Sequence, residues 1–257
     1  MTKKEMVKKE ETALAMPEGG WQDGEYDVKD LLIPRICVAQ GTSDITKQGK
    51  AKPNDIYETG NKTILGDAKK PVNFVPLKFF KTWVHCEMVK NQPQYRSMEP
   101  YIAANANKYQ YEEKKEDGTL WRHYEVLNFY VLLSDEIENG TAFPYLLSFR
   151  SSNKKKGRPL INYMARARAI QPPQPLCSMT FSLGSVLTSN DTNSWFTFDV
   201  STAGATPRPH VEKALEWLNT VNSMSASIKH TDMEDDFEAE SAPAHPVKAE
   251  VTTEARY

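Results

Sequence analysis

The segment Val72–Val89 reads VNFVPLKFFKTWVHCEMV and carries the strongest strand signal in the chain. Aromatic and β-branched residues dominate it, a composition that favours β-strands. Pro76 interrupts the run, so the pattern predicts one long strand or two strands joined at that proline. Alternation along a strand sends Phe79, Lys81 and Trp83 to one face of the sheet.

Weaker signals on both sides of this segment predict further strands and two helices. The predicted strands cover residues 31–40, 55–59, 121–133, 143–150, 176–187 and 194–200. Asn139-Gly140 is a hairpin dipeptide between two of them. Residues 90–120 are polar and tyrosine-rich and resemble a hairpin excursion. Apolar spacing predicts a short helix from Leu160, stopped by Pro172, and a last helix opened by Pro209 with Leu215 in its apolar stripe.

These elements predict a mostly β (α+β) fold with six or seven strands, one short inter-strand helix and a C-terminal helix. We expect an OB-like, partly open barrel because closure protects strand edges, although a sandwich has the same periodicity. Residues 30–230 are expected to form this one domain. Residues 1–29 are expected to be a largely flexible arm, and residues 231–257 a disordered acidic tail.

Charge is segregated along the chain. Residues 30–230 hold 25 Lys and Arg against 19 Asp and Glu, whereas residues 231–257 hold eight acidic residues against two basic ones. A basic body with an acidic appendage is typical of proteins that handle a polyanion. Three widely spaced cysteines exclude a disulfide framework and a C-x-x-C metal knuckle. With no signal sequence, membrane span, cofactor motif or metal-ligand spacing, we expect a cytoplasmic protein without cofactor or metal.

The longest acid-free stretch runs from Asn139 to Asn190 and contains seven basic residues. They are Arg150, Lys154, Lys155, Lys156, Arg158, Arg166 and Arg168. The stretch leaves a strand and enters a helix, so backbone amides near the helix start can add to the attraction of these side chains for phosphate. The alternative is a solvated loop followed by a solvated helix face.

Aromatic rings alternate with basic residues in the segment Val72–Val89. If the face with Lys81 is wet, Phe79 and Trp83 form a platform on which bases stack at about 1 to 3 kcal/mol each. Lys78 and Lys81 would then contact phosphates, and Tyr163 would add a further ring. The alternative is that Phe79 and Trp83 are ordinary core aromatics. Further tyrosines of the excursion suit stacking or a protein interface, namely Tyr95, Tyr101, Tyr109 and Tyr111.

An acidic cluster with embedded apolar residues marks the tail. Its predicted partner-binding residues are Asp232, Glu234, Asp235, Asp236, Phe237 and Tyr257. A tethered polyanion competes with nucleic acid for a basic groove, and its apolar residues can dock on partner proteins. The alternative is a terminus that only aids solubility.

Four segments in this order, together with the acidic tail, resemble the bacteriophage single-stranded DNA-binding proteins over about residues 30–240. The segments are 32–40 (LIPRICVAQ), 71–80 (PVNFVPLKFF), 148–158 (SFRSSNKKKGR) and 195–200 (WFTFDV). The resemblance implies an OB-type core that coats unwound DNA and a tail that contacts replication proteins such as polymerase and primase or helicase. Tails of that family often end at the cluster with an aromatic residue, so either Phe237 or Tyr257 is the docking element here.

The function expected from these features is sequence-independent binding of single-stranded DNA by a non-enzymatic monomer or dimer. One rival is a phage structural or protein-interaction module whose basic patch meets an acidic partner. Another is a metal-dependent nuclease acting through Asp135 and Glu138, which follow a predicted strand. A nucleophilic pair at His85-Cys86 is disfavoured because adjacent strand residues point to opposite faces.

Overall fold

A strongly curled half-barrel sheet is the framework of the computed structural model, which describes residues 32–90, 92–191 and 193–224. Its strands are β1 (Arg35–Val38), β2 (Ile56–Glu58), β3 (Ile64–Gly66), β4 (Val72–Val89), β5 (Gln92–Pro100), β6 (Glu112–Lys114), β7 (Leu120–Leu133), β8 (Tyr145–Phe149), β9 (Met179–Ser189) and β10 (Ser194–Ala205). The α-helices are α1 (Asp44–Lys47), α2 (Ser134–Glu138), α3 (Arg158–Ala169) and α4 (Arg208–Met224), and 3₁₀ helices cover Ala103–Asn105, Ser151–Gly157 and Leu176–Ser178. With 44% strand and 26% helix, the predicted mostly β, partly open barrel is confirmed.

The sheet has the order β10-β9-β4-β7-β8-β1-β2-β3, with β5 added to β4 and β6 added to β7. The pair β1–β8 is parallel, and the other pairs in the sheet are antiparallel. Curling brings β10 back toward β1. There the Gln40 side chain donates to the Phe196 carbonyl oxygen (2.8 Å) and accepts from the Phe196 backbone N–H (2.9 Å). One amide side chain thus links the end of β1 to β10, where no backbone ladder joins the two strands. This link narrows the open side of the half-barrel.

Strand β4 is continuous through Pro76. Its register against β7 shifts between Pro76 and Lys78, and such a bulge lets a proline without an N–H sit in a central strand. Beyond the shift, Phe79 packs against the inner core and Phe80 against the outer core. Of the two predicted alternatives, the structure has one long strand and not two strands joined at Pro76.

The two largest clusters of the core form layers on opposite faces of the sheet. The inner layer collects buried side chains from seven strands and Leu160 of α3. Its fully buried aromatic rings are Phe74, Phe129, Phe149 and Phe181. The outer layer contains Ala214 and Val221 of α4. Helices α3 and α4 therefore cover opposite faces of the sheet, as their apolar spacing requires.

The strand count of six or seven was too low. Strands β3, β5 and β6 were not predicted as strands because they are short or lie at the edge and bear polar residues, so they lack a buried alternating face. The strands on either side of Asn139-Gly140, β7 and β8, do pair antiparallel, but α2 lies in their connection in place of a two-residue turn. Asn139 caps the C-terminus of α2, and Gly140 takes the left-handed φ of 73° that follows a helix end. Leu215 is exposed rather than part of the apolar stripe of α4.

The predicted arm (1–29) and acidic tail (231–257) lie outside the described residues, so their expected flexibility stays a prediction. None of the helices within 32–224 combines the length and apolarity that crossing a membrane requires.

Candidate nucleic-acid interface

The basic segment leaves β8 and runs as a 3₁₀ helix into α3. Ser151 turns the chain with φ 45°, and Pro159 lies in the first turn of α3, where its missing N–H costs nothing. Gly157 connects the two helices. A Cβ on Gly157 would lie 3.0 Å from two ring carbons of Phe149, so glycine allows the 3₁₀ helix to press onto the inner core. Packing therefore fixes the position of the segment.

Four cations of this segment project into solvent: Lys155, Arg158, Arg166 and Arg168. None of the four makes an ion pair with a residue in the described ranges. Arg158 and Arg166 are eight residues apart, and Asn162 lies between them on the same row of the helix. We call Lys155, Arg158, Asn162 and Arg166 the basic row. The row is an uncompensated positive surface, as an acid-free sequence predicts.

Two lysines of the same segment do meet acids that are distant in sequence. Lys154 Nζ hydrogen-bonds to Glu125 of β7, which also accepts from Lys81 Nζ of β4 at 2.6 Å. Lys156 Nζ lies 3.4 Å from Asp199 of β10. The stretch is acid-free in sequence, but Lys154 and Lys156 lie beside acids in the fold, because the curled sheet brings Glu125 and Asp199 to them.

Glu125 links the two basic segments of the sequence, because it binds Lys81 of β4 and Lys154 of the 3₁₀ helix. Burial raises the pKa of its carboxyl, but the hydrogen bonds from Lys154 and Lys81 outweigh burial and hold that pKa below its usual value. The carboxylate therefore stays ionised at neutral pH. It fixes Lys81 and Lys154 side by side, and it also neutralises part of their charge.

The aromatic signals lie on the face that carries Lys81. Phe79 is half-buried and tilted against Phe129 at 4.9 Å between ring centroids. Trp83 is only 7% exposed and stacks on Tyr101 at 5.4 Å, with the edge of Tyr109 at 5.5 Å. Phe79 and Trp83 are therefore packed aromatic residues, as the alternative hypothesis stated. An open stacking face on Trp83 is excluded by Tyr101, which covers it.

Tyr101 connects this aromatic group to the basic segment. Lys81 Nζ lies 4.7 Å from the centroid of the Tyr101 ring, in cation–π contact, and the same Nζ binds Glu125. Tyr101 and Tyr109 are both half-buried. We call Lys81, Trp83, Tyr101 and Tyr109 the aromatic group. Nothing in the local sequence of Glu125 marked it as the residue that joins this group to Lys154.

The remaining predicted site residues are less accessible to a nucleic-acid strand. Tyr163 is half-buried with its ring edge-on to Phe181, 5.7 Å between centroids. Lys78 is half-buried at the bulge, and burial lowers the pKa of its amine. Arg150 is 7% exposed and lines a cleft behind the 3₁₀ helix. These three were predicted from sequence composition and pattern, which do not report burial.

Two buried histidines lie at the far end of the aromatic group. His85 Nδ1 of β4 and His123 Nδ1 of β7 are 2.6 Å apart, so one nitrogen donates to the other. His123 Nε2 lies 3.0 Å from Glu113, and the Tyr109 ring contacts both imidazoles at 4.5 and 4.9 Å. Burial and the neighbouring His123 lower the pKa of His85. The pair ties the segment between β5 and β6 to the central strands.

The nuclease hypothesis has few supporting contacts. Asp135 and Glu138 are exposed on the single-turn helix α2, and Glu138 lies 3.8 Å from His210 Nε2. Within the described ranges, no three His, Cys, Asp or Glu side chains are grouped so that they could hold a metal ion. The predicted tail residues, from Asp232 to Tyr257, lie outside these ranges.

Comparison with known proteins identifies the family of the chain. No curated protein matches the chain, and no solved structure matches it either. One family model matches residues 3–227, which cover the whole described fold. By this match, the chain belongs to the family of Pam3 phage gp34-like proteins.

Proposed function

We propose that this protein is a non-enzymatic single-stranded DNA-binding protein that coats unwound DNA during phage replication or recombination. The observation that carries the proposal is that the lysine of the aromatic group and the basic segment lie together on one face of the sheet. Glu125 joins Lys81 of the aromatic group to Lys154, directly beside the exposed basic row. Charges and rings on one surface are the combination with which proteins bind single strands without reading their sequence.

Phosphates of the strand would follow the basic row. Arg158 and Arg166 are separated by about 12 Å along the helix axis, from about 1.5 Å of rise per residue, so they reach different phosphates. Lys155 continues the row toward Lys154. Each phosphate that a cation neutralises releases counterions, so affinity falls steeply with salt.

Bases would meet the outer rings of the aromatic group. Tyr101 and Tyr109 are half-buried, and Trp83 supports both from beneath. A base stacked on Tyr101 would lie close to Lys81, and one stacked on Tyr109 would lie close to Lys108. In this arrangement Trp83 supports the stacking surface, whereas the sequence predicted Phe79 and Trp83 to be the surface itself.

The acidic tail completes the proposal. Residues 231–257 carry eight acidic side chains against two basic ones, so a tail held beside the basic row competes with DNA at high effective concentration. When DNA displaces it, Phe237 or Tyr257 docks on replication proteins such as polymerase and primase or helicase. The family's phage name supports an origin in which such partners are present.

A salt-dependent titration of fluorescent oligo(dT), with Mg²⁺ present and a gel readout of intact DNA, tests the proposal. We expect saturable binding, a logarithm of affinity that decreases linearly with the logarithm of salt, and intact DNA. The absence of binding would favour a protein-interaction module, and cleavage would favour a nuclease; either result refutes the proposal. A chain truncated after residue 230 should bind more tightly at low salt. Equal DNA affinity of the truncated and full-length chains would show that the tail does not compete with DNA.

A further inference from the structure

The far ends of β4 and β7 form a four-stranded extension of the sheet, together with β5 and β6. Strand β4 pairs with β9 at Val72–Phe74, but from Thr82 onward it pairs with β5. Strand β7 likewise pairs with β6 at one end and with β8 at the other. We call residues 82–100 and 112–126 the ribbon. A small apolar cluster around Val84 and Tyr124 occupies one face of the ribbon, so alternation places Trp83 on the other face.

The aromatic group continues along this second face as a row of ring contacts. Trp121 of β7 lies opposite Glu87 of β4, on the same face as Trp83. From Trp83 the contacts run to Tyr109 at 5.5 Å between ring centroids, and from Tyr109 to His123 at 4.9 Å. His123 and Trp121 follow at 6.4 Å with nearly parallel rings, 19° apart. Trp121 is thus about 13 Å beyond Trp83, from four residues of β4 at about 3.3 Å each.

A lysine accompanies each outer ring of this row. In three pairs the lysine Nζ lies 4.7, 4.8 and 5.8 Å from the ring centroid, namely Lys81 at Tyr101, Lys108 at Tyr109 and Lys115 at Trp121. Lys115 is exposed and Trp121 is half-buried. Because the stem of a lysine is flexible, its ammonium can leave the ring for a phosphate when a base takes its place. Each pair therefore offers a ring for a base and a cation for the adjoining phosphate.

The charge at the far end of the ribbon is balanced. Lys115 Nζ donates to Glu113 at 2.8 Å, and His123 Nε2 lies 3.0 Å from the same carboxylate. Hydrogen bonds from Lys115 and then from His123 hold the pKa of Glu113 below its usual value, so the carboxylate is ionised at neutral pH. Trp121 thus presents a ring in surroundings of little net charge, unlike the basic row.

We propose that Trp121 is a second base-stacking site for single-stranded DNA, at the far end of the ribbon. The inference rests on the proposed function for the identity of the ligand, and on the row of rings for the site itself. The strand would run from the basic row across Tyr101 and Tyr109 to Trp121. Phosphate contacts hold it at one end of this path, and stacking holds it at the other.

Trp121→Leu removes the ring and keeps an apolar side chain. We expect a loss of oligo(dT) affinity of about fivefold or more, the effect of losing one stacked base. The slope of log affinity against log salt should stay unchanged, because no phosphate contact is lost. Trp121→Phe, which keeps a ring, should retain most of the affinity.

Tyr111→Leu is the matched control. Its ring is 56% exposed and also carries a cation, with the Arg122 guanidinium at 5.6 Å, but it packs on Tyr124 on the opposite face of the ribbon. This variant should bind oligo(dT) as the wild type does. Wild-type affinity in folded Trp121→Leu, or equal losses in the two leucine variants, would overturn the site.

Photo-crosslinking tests the same contact in the wild-type chain. Oligo(dT) that contains 5-iodo-deoxyuridine should crosslink to the tryptic peptide 116–122, in which Trp121 is the one aromatic residue. Peptide 214–229, whose one aromatic residue is Trp217 of the outer layer, should not react. Crosslinks to Tyr101 or Tyr109 without any to Trp121 would overturn the second site and leave the proposed function standing. Absence of oligo(dT) binding by the wild type would refute the proposed function, and the site with it.

Discussion

At the scale of single residues, Glu125 determines how much positive charge the interface presents. Its carboxylate holds Lys81 and Lys154 together and stays ionised because their hydrogen bonds lower its pKa. Neither lysine shares a local segment with Glu125: the separations are 44 and 29 residues. Sequence reasoning found the lysines from local composition but had no signal for the acid, since such a contact exists only in the folded sheet.

Glu125→Gln should strengthen binding to oligo(dT) at low salt, because two lysines lose their shared counterion and become available to phosphates. The slope of log affinity against log salt should become more negative by up to about 1.4, from about 0.7 per added single-strand contact. Fluorescence titration across a salt series measures both quantities. Glu216→Gln, which removes the partner of Lys213 on the opposite face of the sheet, is the control and should leave affinity unchanged. Weaker binding by folded Glu125→Gln would contradict a counterion role.

His85 should make the folded protein sensitive to mild acid. Its pKa is lowered in the folded state by burial and by His123, so the unfolded chain takes up a proton more readily. The stabilising contribution is therefore complete above the unfolded pKa of about 6.5 and is lost as the pH falls toward the lower folded value. Melting temperatures between pH 7.5 and 5 should decrease, with a shallower decrease in His85→Gln. Parallel curves for the two proteins would show that His85 does not cause the dependence.

At the scale of elements, dense periodicity decided what could be predicted. Strand β4 was predicted from its dense aromatic and β-branched composition, and helix α3 from the helical spacing of its apolar residues. The edge strands β5 and β6 were missed because polar residues dominate them and neither contains a fully buried residue. Local pattern also placed the basic segment correctly between a strand and a helix. It did not show that Trp83 is covered by Tyr101, because that contact depends on how β5 and the following loop fold back over β4.

Gly157→Ala tests whether packing of the 3₁₀ helix sets the position of the basic row. The added Cβ would meet the Phe149 ring at 3.0 Å, so the helix must shift or the ring must turn. We expect a loss of about 1 to 3 kcal/mol in the free energy of unfolding, the usual cost of overpacking, together with weaker binding to oligo(dT). Chemical denaturation and titration measure the two effects. Gly41→Ala, where a Cβ meets nothing within 4 Å, should change neither; full stability in Gly157→Ala would contradict the packing argument.

At the scale of the whole molecule, the curled sheet separates two surfaces of different character. Helix α3 and the basic row cover the inner layer, whereas α4 covers the outer layer and pairs its cations with its own acids, Arg208 with Glu212 and Lys213 with Glu216. The predicted fold class followed from strand content and edge protection. The bridge from Gln40 to Phe196 could not be predicted, because nothing in a sequence tells which side chain will contact a strand 156 residues away.

The placement of DNA along α3 is tested most directly by removing positive charge from each of these two surfaces and comparing the effects on DNA binding. Arg158→Gln/Arg166→Gln removes two cations from the basic row, and Arg208→Gln/Lys213→Gln removes two from α4. In a salt-dependent oligo(dT) titration, we predict that the first double variant binds more weakly and with a slope shallower by about 1.4, at about 0.7 per lost contact. The second should retain wild-type affinity and slope. Equal effects of the two double variants, or wild-type binding by the first, would contradict the placement of DNA along α3.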